Sequence, residues 1–293
     1  MRWEDFRPSD NVEDRRGGGG GMGGMAGAGG LGIGGMIILG IIGWVTGINP
    51  AILIGGAEMV SRTTQTRQQP QGRTGGEIQD EAGRFSQRIL GNLEDVWKDV
   101  LPSQANREYR PPKLVLFSGS TPTRCGAGRS AMGPFYCPVD RTVYLDTSFF
   151  QEMQRKFRAG GDFAYAYVIA HEVGHHIENE LGILPKVQQR QRELGEREAN
   201  QLSVRVELMA DCLAGVWAYH SNERYKSLEQ GDVEEAVAAA EAIGDDRLQK
   251  QAQGYAVPDS FTHGSSAQRV RWFMTGMKSG QVKACDTFRA ARL

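Results

Sequence analysis

The chain has 293 residues, enough for one sizeable domain with additional segments. Its 34 basic and 35 acidic residues give a net charge of -1, and no basic stripe stands out, so the composition offers no support for a nucleic-acid-binding protein. A hydrophobic content of 40% and a charged content of 24% are those of an ordinary globular protein.

Three segments precede the predicted domain at residues 77–293. Residues 1–16 are polar and of mixed charge, unlike a secretory leader, and the next fourteen or so are almost all Gly, Ala and Met, so we expect residues 1–30 to be disordered. Residues 31–57 contain no charged residue, and because about 20 apolar residues span a bilayer, they predict one transmembrane anchor. A buried helix or hairpin of a soluble protein is the alternative. Residues 58–76 are polar and predict a flexible tether.

The charges on either side of residues 31–57 do not decide the orientation of the anchor. Cys125 and Cys137 flank a short loop rich in Gly and Pro that a disulfide would close, and Cys212 and Cys285 could form a second pair. An even number of cysteines fits an oxidising compartment, although buried thiols in a cytosolic protein would give the same count. We therefore expect a single-pass protein with a cytoplasmic N-terminus and an extracytoplasmic domain.

The periodicity of the domain predicts a mainly helical α+β fold with a small β-sheet. The strand at 142–145 comes shortly before the helix at 162–182, where an edge strand could hold an extended peptide by main-chain pairing. The remaining predicted elements are a strand at 113–117 and helices at 77–100, 232–243 and 266–277. A further long helix follows the highly polar residues 186–200 and runs to about 220.

The helix at 162–182 carries the pattern His171-Glu-Val-Gly-His175. Four residues are about 40° past one helical turn, so both imidazoles project from one side, at a spacing that suits zinc. Glu172 can reach a water at the open coordination position and act as a general base. Gly174 costs roughly 1 kcal/mol in a helix interior and so indicates the close approach of another backbone or of the ion. Two core histidines on an amphipathic helix are the alternative.

A catalytic zinc usually has three protein ligands, and a later helix offers a candidate for the third. Glu207 and Asp211, four residues apart on one helix face, lie among apolar residues where unpaired carboxylates are costly to bury. We expect Glu207 to be the third ligand, and Asp211 to accept a hydrogen bond from the first ligating histidine. A solvated helix face is the alternative for this pair, and His176, Glu178 and His220 are the other candidates for the third ligand.

His263 lies in a loop just before the last helix. A histidine at that position could donate a hydrogen bond to the oxyanion of a tetrahedral intermediate, as could Arg269, which could instead pair with a carboxylate. A structural role for His263, bonded to the backbone, is equally compatible with the sequence.

These features resemble a known family. The motif at 171–175 with Glu207 and Asp211 is similar to the gluzincin arrangement of zinc peptidases, and the whole chain resembles the bacterial neutral zinc metallopeptidase family of membrane-anchored proteins. The further matching features are Met1-Arg-Trp, the Asp10–Arg16 run, the glycine linker, the single apolar span, Pro134-Phe-Tyr-Cys-Pro138 and Thr262-His-Gly-Ser265. The resemblance implies a zincin-like domain that is anchored to the bacterial inner membrane, with Zn²⁺ held by His171, His175 and Glu207.

The resulting hypothesis is a membrane-anchored zinc peptidase that acts on proteins or peptides, with Glu172 as base, and that contacts the lipid bilayer through residues 31–57 but binds no nucleic acid. A membrane-anchored zinc-binding or interaction protein without catalysis is the main alternative. A pore or assembly protein built on the glycine-rich span is a third class, and it would need oligomerisation, because one span cannot form a channel.

Overall fold

The computed structural model describes residues 1–16, 73–74 and 78–293. Within these ranges the chain forms a mainly helical α+β fold with two small sheets, which confirms the predicted fold class for this part of the protein. The predicted anchor at 31–57 lies outside the described residues. No helix in the part of the chain that is described is both long and apolar enough to cross a bilayer.

The larger sheet has five strands in the order β2-β1-β3-β7-β6. β3 pairs in parallel with both β1 and β7, whereas β2 and β6 pair antiparallel with their neighbours. The smaller sheet is the antiparallel hairpin β4–β5. The strands are β1 Val12–Asp14, β2 Arg73–Thr74, β3 Lys113–Phe117, β4 Ser120–Thr123, β5 Gly126–Arg129, β6 Phe135–Cys137 and β7 Thr142–Asp146.

The prediction of an edge strand at 142–145 is wrong. β7 has a strand on each side, since β3 and β6 both pair with it, and its backbone groups are therefore already used. β6 takes the edge position among the described strands, and it packs against the helix that begins at Asp162. The sequence did not show this because β6 is only three residues long, too short for a period to be read.

The helices form most of the domain and carry its core. The helix at Asp162–Glu180 is central: it contacts the helices on either side of it in the core and the edge strand β6. Its Tyr167, Val173 and Ile177 side chains are fully buried, and each such side chain contributes roughly 1.5–3 kcal/mol of hydrophobic stabilisation. The α-helices are α1 Glu81–Ala105, α2 Ser148–Glu152, α3 Asp162–Glu180, α4 Ile183–Gln191, α5 Glu196–Tyr225, α6 Asp232–Ala242, α7 Asp245–Gln253 and α8 Ser266–Ser279.

Several helix boundaries differ from the predicted ones. α1 begins after Asp80, whose side chain accepts a hydrogen bond from the backbone N–H of Gly83, and it continues past Pro102 to Asn106, which caps it in the left-handed conformation. Residues Ile183–Gln191, for which no helix was predicted, also form one, α4. Pro102 predicts an earlier end for α1, and residues 186–200 are too polar for an apolar period to be read from the sequence.

The prediction that residues 1–30 are disordered is wrong for residues 1–16. Trp3 packs edge-on against Phe85 of α1 at a centroid distance of 5.4 Å, and its indole N–H donates to Asp162 at 3.0 Å. Phe6 is buried beside Tyr225, and β1 joins the main sheet. The segment has no periodic pattern of its own, and its apolar residues are buried only by partners far away in sequence.

Candidate metal centre

The centre forms where α3 crosses α5. A Cβ atom added to Gly174 would lie 2.9 Å from the carbonyl oxygen of Ala210 and 3.0 Å from its Cα, closer than side chains normally approach. Gly174 therefore lets the two helix backbones come together. The sequence indicated close approach of either a backbone or the ion at this glycine, and the structure shows a backbone. This crossing places His171 and His175 of α3 opposite Glu207 of α5.

The three side chains present one ligand atom each to a common point. His171, His175 and Glu207 offer two imidazole nitrogens and one carboxylate oxygen that all lie within 4.8 Å of one another. Glu207 Oε2 is 3.1 Å from Nε2 of His171, and its Oε1 is 3.5 Å from Nε2 of His175. Ligand atoms around a tetrahedral zinc with arms of 2.0–2.1 Å are about 3.3 Å apart, so the observed spacing fits such an ion.

Each histidine is held by a carboxylate at its other ring nitrogen. Nδ1 of His171 is 2.8 Å from Asp211, and Nδ1 of His175 is 2.8 Å from Glu178. A carboxylate at Nδ1 fixes the tautomer with its proton there and leaves the Nε2 lone pair free. Both free nitrogens face Glu207, so the chemistry of the set, two neutral nitrogens and one oxygen, is that of a zinc site.

Asp211 is itself held by a buried network. The Arg269 guanidinium donates to both of its oxygens, from Nε at 2.9 Å and from Nη2 at 2.8 Å, and the Tyr167 hydroxyl donates to it at 2.6 Å. Burial alone would raise the pKa of Asp211, but the charges of Arg269 and His171 outweigh it and lower that pKa to about 2. Asp211 therefore remains an anion at neutral pH and orients the His171 ring.

Glu178 is fully buried. It is not the third ligand, a role that the sequence left open for it, because it contacts Nδ1 of His175 instead of the common point of the cluster. Burial raises the pKa of Glu178 to about 7, although the hydrogen bond to His175 opposes the rise. It lies one helical turn after His175, so it supports that ligand from behind and does not replace Glu207. The i, i+3 spacing was the only signal of this contact in the sequence.

The two other candidates for the third ligand lie away from the cluster. Nε2 of His176 donates to the carbonyl oxygen of Arg110 at 2.6 Å, and its Nδ1 accepts from the Tyr136 hydroxyl at 3.0 Å. Nε2 of His220 donates to the carbonyl oxygen of Gly280 at 2.8 Å. Both rings therefore serve as bridges within the fold.

Glu172 is buried next to the cluster on α3, and burial raises the pKa of its carboxyl group while the neighbouring imidazoles lower it. A carboxylate in this setting is more basic than one in water, which suits a group that must accept a proton. Its position follows directly from its place after His171 on the helix.

His263 lies in the loop before α8, close to the metal cluster. Its Nδ1 is 3.0 Å from Asp245 Oδ1, while Asp245 Oδ2 accepts from the backbone N–H groups of Thr262, His263 and Gly264 at 2.7, 2.7 and 3.1 Å. Nε2 is buried and has no hydrogen-bond partner among the described residues. His263 and Glu207 are close enough to shift each other's pKa, so the His263 ring lies near the cluster. Asp245 was not predicted, because the turn that joins it to His263 exists only in the fold.

Two disulfides are present, in the pairs expected from the sequence. Cys125 is bonded to Cys137, and Cys212 is bonded to Cys285. Cys212 directly follows Asp211 on α5, so the second disulfide ties the C-terminal segment to the helix that carries two residues of the centre.

Comparison with known proteins agrees with this chemistry. The family described as "Putative neutral zinc metallopeptidase" matches residues 1–288. A protein of Escherichia coli strain K12, called uncharacterized protein YpfJ, is 51% identical over 290 residues, which cover 98% of this chain and 99% of the relative. Uncharacterized proteins Mb2605 of Mycobacterium bovis and Rv2575 of Mycobacterium tuberculosis are each 46% identical over 227 residues, covering 73% of this chain and 74% of the relative. No solved structure matches the chain.

Proposed function

The chain belongs to the neutral zinc metallopeptidase family, and from this membership we propose that it hydrolyses peptide bonds of protein or peptide substrates at a zinc ion held by His171, His175 and Glu207. The observation that carries the proposal is the convergence of three ligand atoms within 4.8 Å, with both histidines oriented by carboxylates. Three protein ligands leave one coordination position open, as a catalytic zinc requires. Zinc, when bound, supplies a Lewis acid that lowers the pKa of water and polarises a carbonyl group.

Glu172 is proposed as the general base. Its carboxylate accepts a proton from the attacking water and delivers that proton to the leaving amine, so the carboxylate is restored at the end of the cycle. Its burial excludes bulk water from the carboxylate and raises the pKa, which favours uptake of the proton. No covalent acyl-enzyme is needed in this scheme.

His263 is proposed to stabilise the oxyanion of the tetrahedral intermediate. With Nδ1 bound to Asp245, the ring can donate from Nε2 only as an imidazolium. Burial disfavours the charged ring, but Asp245 and Glu207 outweigh it and raise the pKa of His263, so the imidazolium is favoured. A preorganised donor in a dry site is worth more than one in water, which supports this role.

We also propose that the protein is associated with the bacterial inner membrane through residues 31–57, with its domain in an oxidising, extracytoplasmic compartment. The apolar, uncharged composition of that stretch supports the first part, and the two disulfides support the second.

The decisive experiment compares Glu172→Gln with the wild-type chain on a peptide library, with and without a chelator, while zinc content is measured. Removal of a general base lowers turnover by about 10²–10⁴-fold, and the variant should still bind zinc because its ligands are intact. Glu180→Gln on the same helix is the control, since its side chain pairs with Arg141. Wild-type turnover by the Glu172 variant would refute the assigned base. A zinc-loaded wild-type chain that cleaves no peptide would favour the non-catalytic zinc-binding protein.

A further inference from the structure

The first sixteen residues are built into the same packed body as the domain that follows residue 77. The backbone N–H of Arg2 donates to the carbonyl oxygen of Ser227 at 2.9 Å, and Trp3 is bonded to the first residue of the helix that bears the metal cluster. The Ser9 hydroxyl donates to Glu94 of α1 at 2.6 Å. These contacts tie the segment to α1, α3 and the loop that follows α5.

The segments that precede and follow residues 17–72 lie side by side in the main sheet. β1 and β2 pair antiparallel, with Asp14 opposite Arg73, so residues on the two sides of the intervening stretch are neighbours in the main sheet. Arg16 donates from its guanidinium to both carboxylate oxygens of Asp80 at 2.9 and 2.6 Å, while its N–H and side chain also bind Asp14. Two independent contacts therefore hold both ends of the stretch together.

This arrangement restricts how the chain meets a membrane. A folded body lies on one side of a bilayer, so residues 1–16 and 78–293 are on the same side. A single crossing by residues 31–57, as the sequence alone predicts, would put them on opposite sides and would require the N-terminal strand and Trp3 to leave the core.

We propose that residues 1–16 and 78–293 lie on one face of the membrane, and that residues 31–57 contact lipid without placing these two segments on opposite sides. The partner is lipid, because the 27 residues from 31 to 57 carry no charge and are rich in apolar side chains. This inference rests on the packing of the described segments and is independent of whether the site cleaves peptides.

The test measures on which side each end of the full-length chain lies. Asp10→Cys, before the apolar stretch, and Lys98→Cys, on α1, each add one exposed thiol to a chain in which the described cysteines are all paired. A membrane-impermeant maleimide is applied to intact spheroplasts and again after lysis, with the wild-type chain as the background control. We expect the two variants to show the same ratio of labelling before and after lysis, whichever side that is.

Labelling of one variant in intact spheroplasts and of the other only after lysis would overturn the proposal, because it would show a crossing between them. The lipid contact is tested by replacing residues 31–57 with a Gly-Ser segment of equal length. We expect the protein to move from the membrane fraction to the supernatant with its unfolding midpoint unchanged. Retention in the membrane fraction, or a wild-type chain found in the supernatant, would show that this stretch does not bind lipid.

Discussion

Glu178 lies 2.8 Å from Nδ1 of His175, one turn further along the same helix, and its side chain is wholly buried. Glu178→Gln keeps the size of the side chain but removes the charge that orients the imidazole and makes it a better donor to a metal. Loss of such a supporting carboxylate weakens metal binding by about 10–100-fold. Competition of the purified protein with a fluorescent zinc chelator measures the change.

The control for this prediction is Glu180→Gln, two residues further on the same helix, where the carboxylate lies 3.6 Å from Arg141 and does not contact either histidine. Its zinc affinity should equal that of the wild-type chain. If both variants lost affinity to the same extent, the effect would come from the net charge of the helix and not from the contact with His175.

His263→Ala should lower kcat while leaving zinc binding unchanged. The ring is fixed by Asp245, and its Nε2 is buried without a hydrogen-bond partner among the described residues, so it is free to donate. Removal of one oxyanion donor costs about 10²–10³-fold in kcat. His220→Ala serves as the control, because that ring donates to Gly280 outside the site. Peptidase assays and zinc content are measured together. If zinc content fell in parallel with kcat, His263 would have a structural role in the site instead of an oxyanion role.

The sequence predicted the parts of the site that depend on helical spacing. His171 and His175, and likewise Glu207 and Asp211, are four residues apart, so each pair faces one side of its helix wherever the helix packs. Contacts that depend on how distant segments meet could not be predicted. Asp245 reaches His263 only through a turn that gathers three backbone N–H groups.

The N-terminal segment shows the same limit for the fold. Trp3 and Phe6 are two isolated apolar residues in a polar stretch, and no periodicity indicates that they are buried. Their partners, Phe85 and Tyr225, are far away along the chain. The long-range packing that holds residues 1–16 in the core therefore became evident only from the structure.

The two disulfides should differ in how much they stabilise the domain. The Cys212–Cys285 bond closes a loop with a sequence separation of 73, and the Cys125–Cys137 bond one of 12. Loop-closure entropy then gives about 4 kcal/mol for the longer loop and about 3 kcal/mol for the shorter one. Denaturant unfolding of the Cys212→Ala/Cys285→Ala and Cys125→Ala/Cys137→Ala double variants measures both. A larger loss in the variant without the short-loop disulfide would contradict this order.

His176 is a buried neutral histidine on the side of α3 that faces away from the metal cluster. Tyr109 and Tyr136 pack edge-on against its ring, and its two nitrogens are bonded to the Arg110 carbonyl and the Tyr136 hydroxyl. Burial, with a smaller contribution from the charge of Arg141, lowers the pKa of His176 from 6.5 to about 4, although the bond to Arg110 opposes the shift. The unfolded chain therefore binds a proton at this residue at a higher pH than the folded chain does.

Because the folded pKa is depressed, the stability that His176 contributes is present above pH 6.5 and is lost as the pH falls towards 4. Between pH 7 and pH 5 this loss amounts to about 2 kcal/mol of the free energy of unfolding. His176→Asn, which cannot titrate, should lack this component, so the stability difference between the wild-type and variant chains should shrink by about 2 kcal/mol over that interval. Urea unfolding at several pH values measures the difference. A difference that stayed constant with pH would show that His176 has the same pKa in both states.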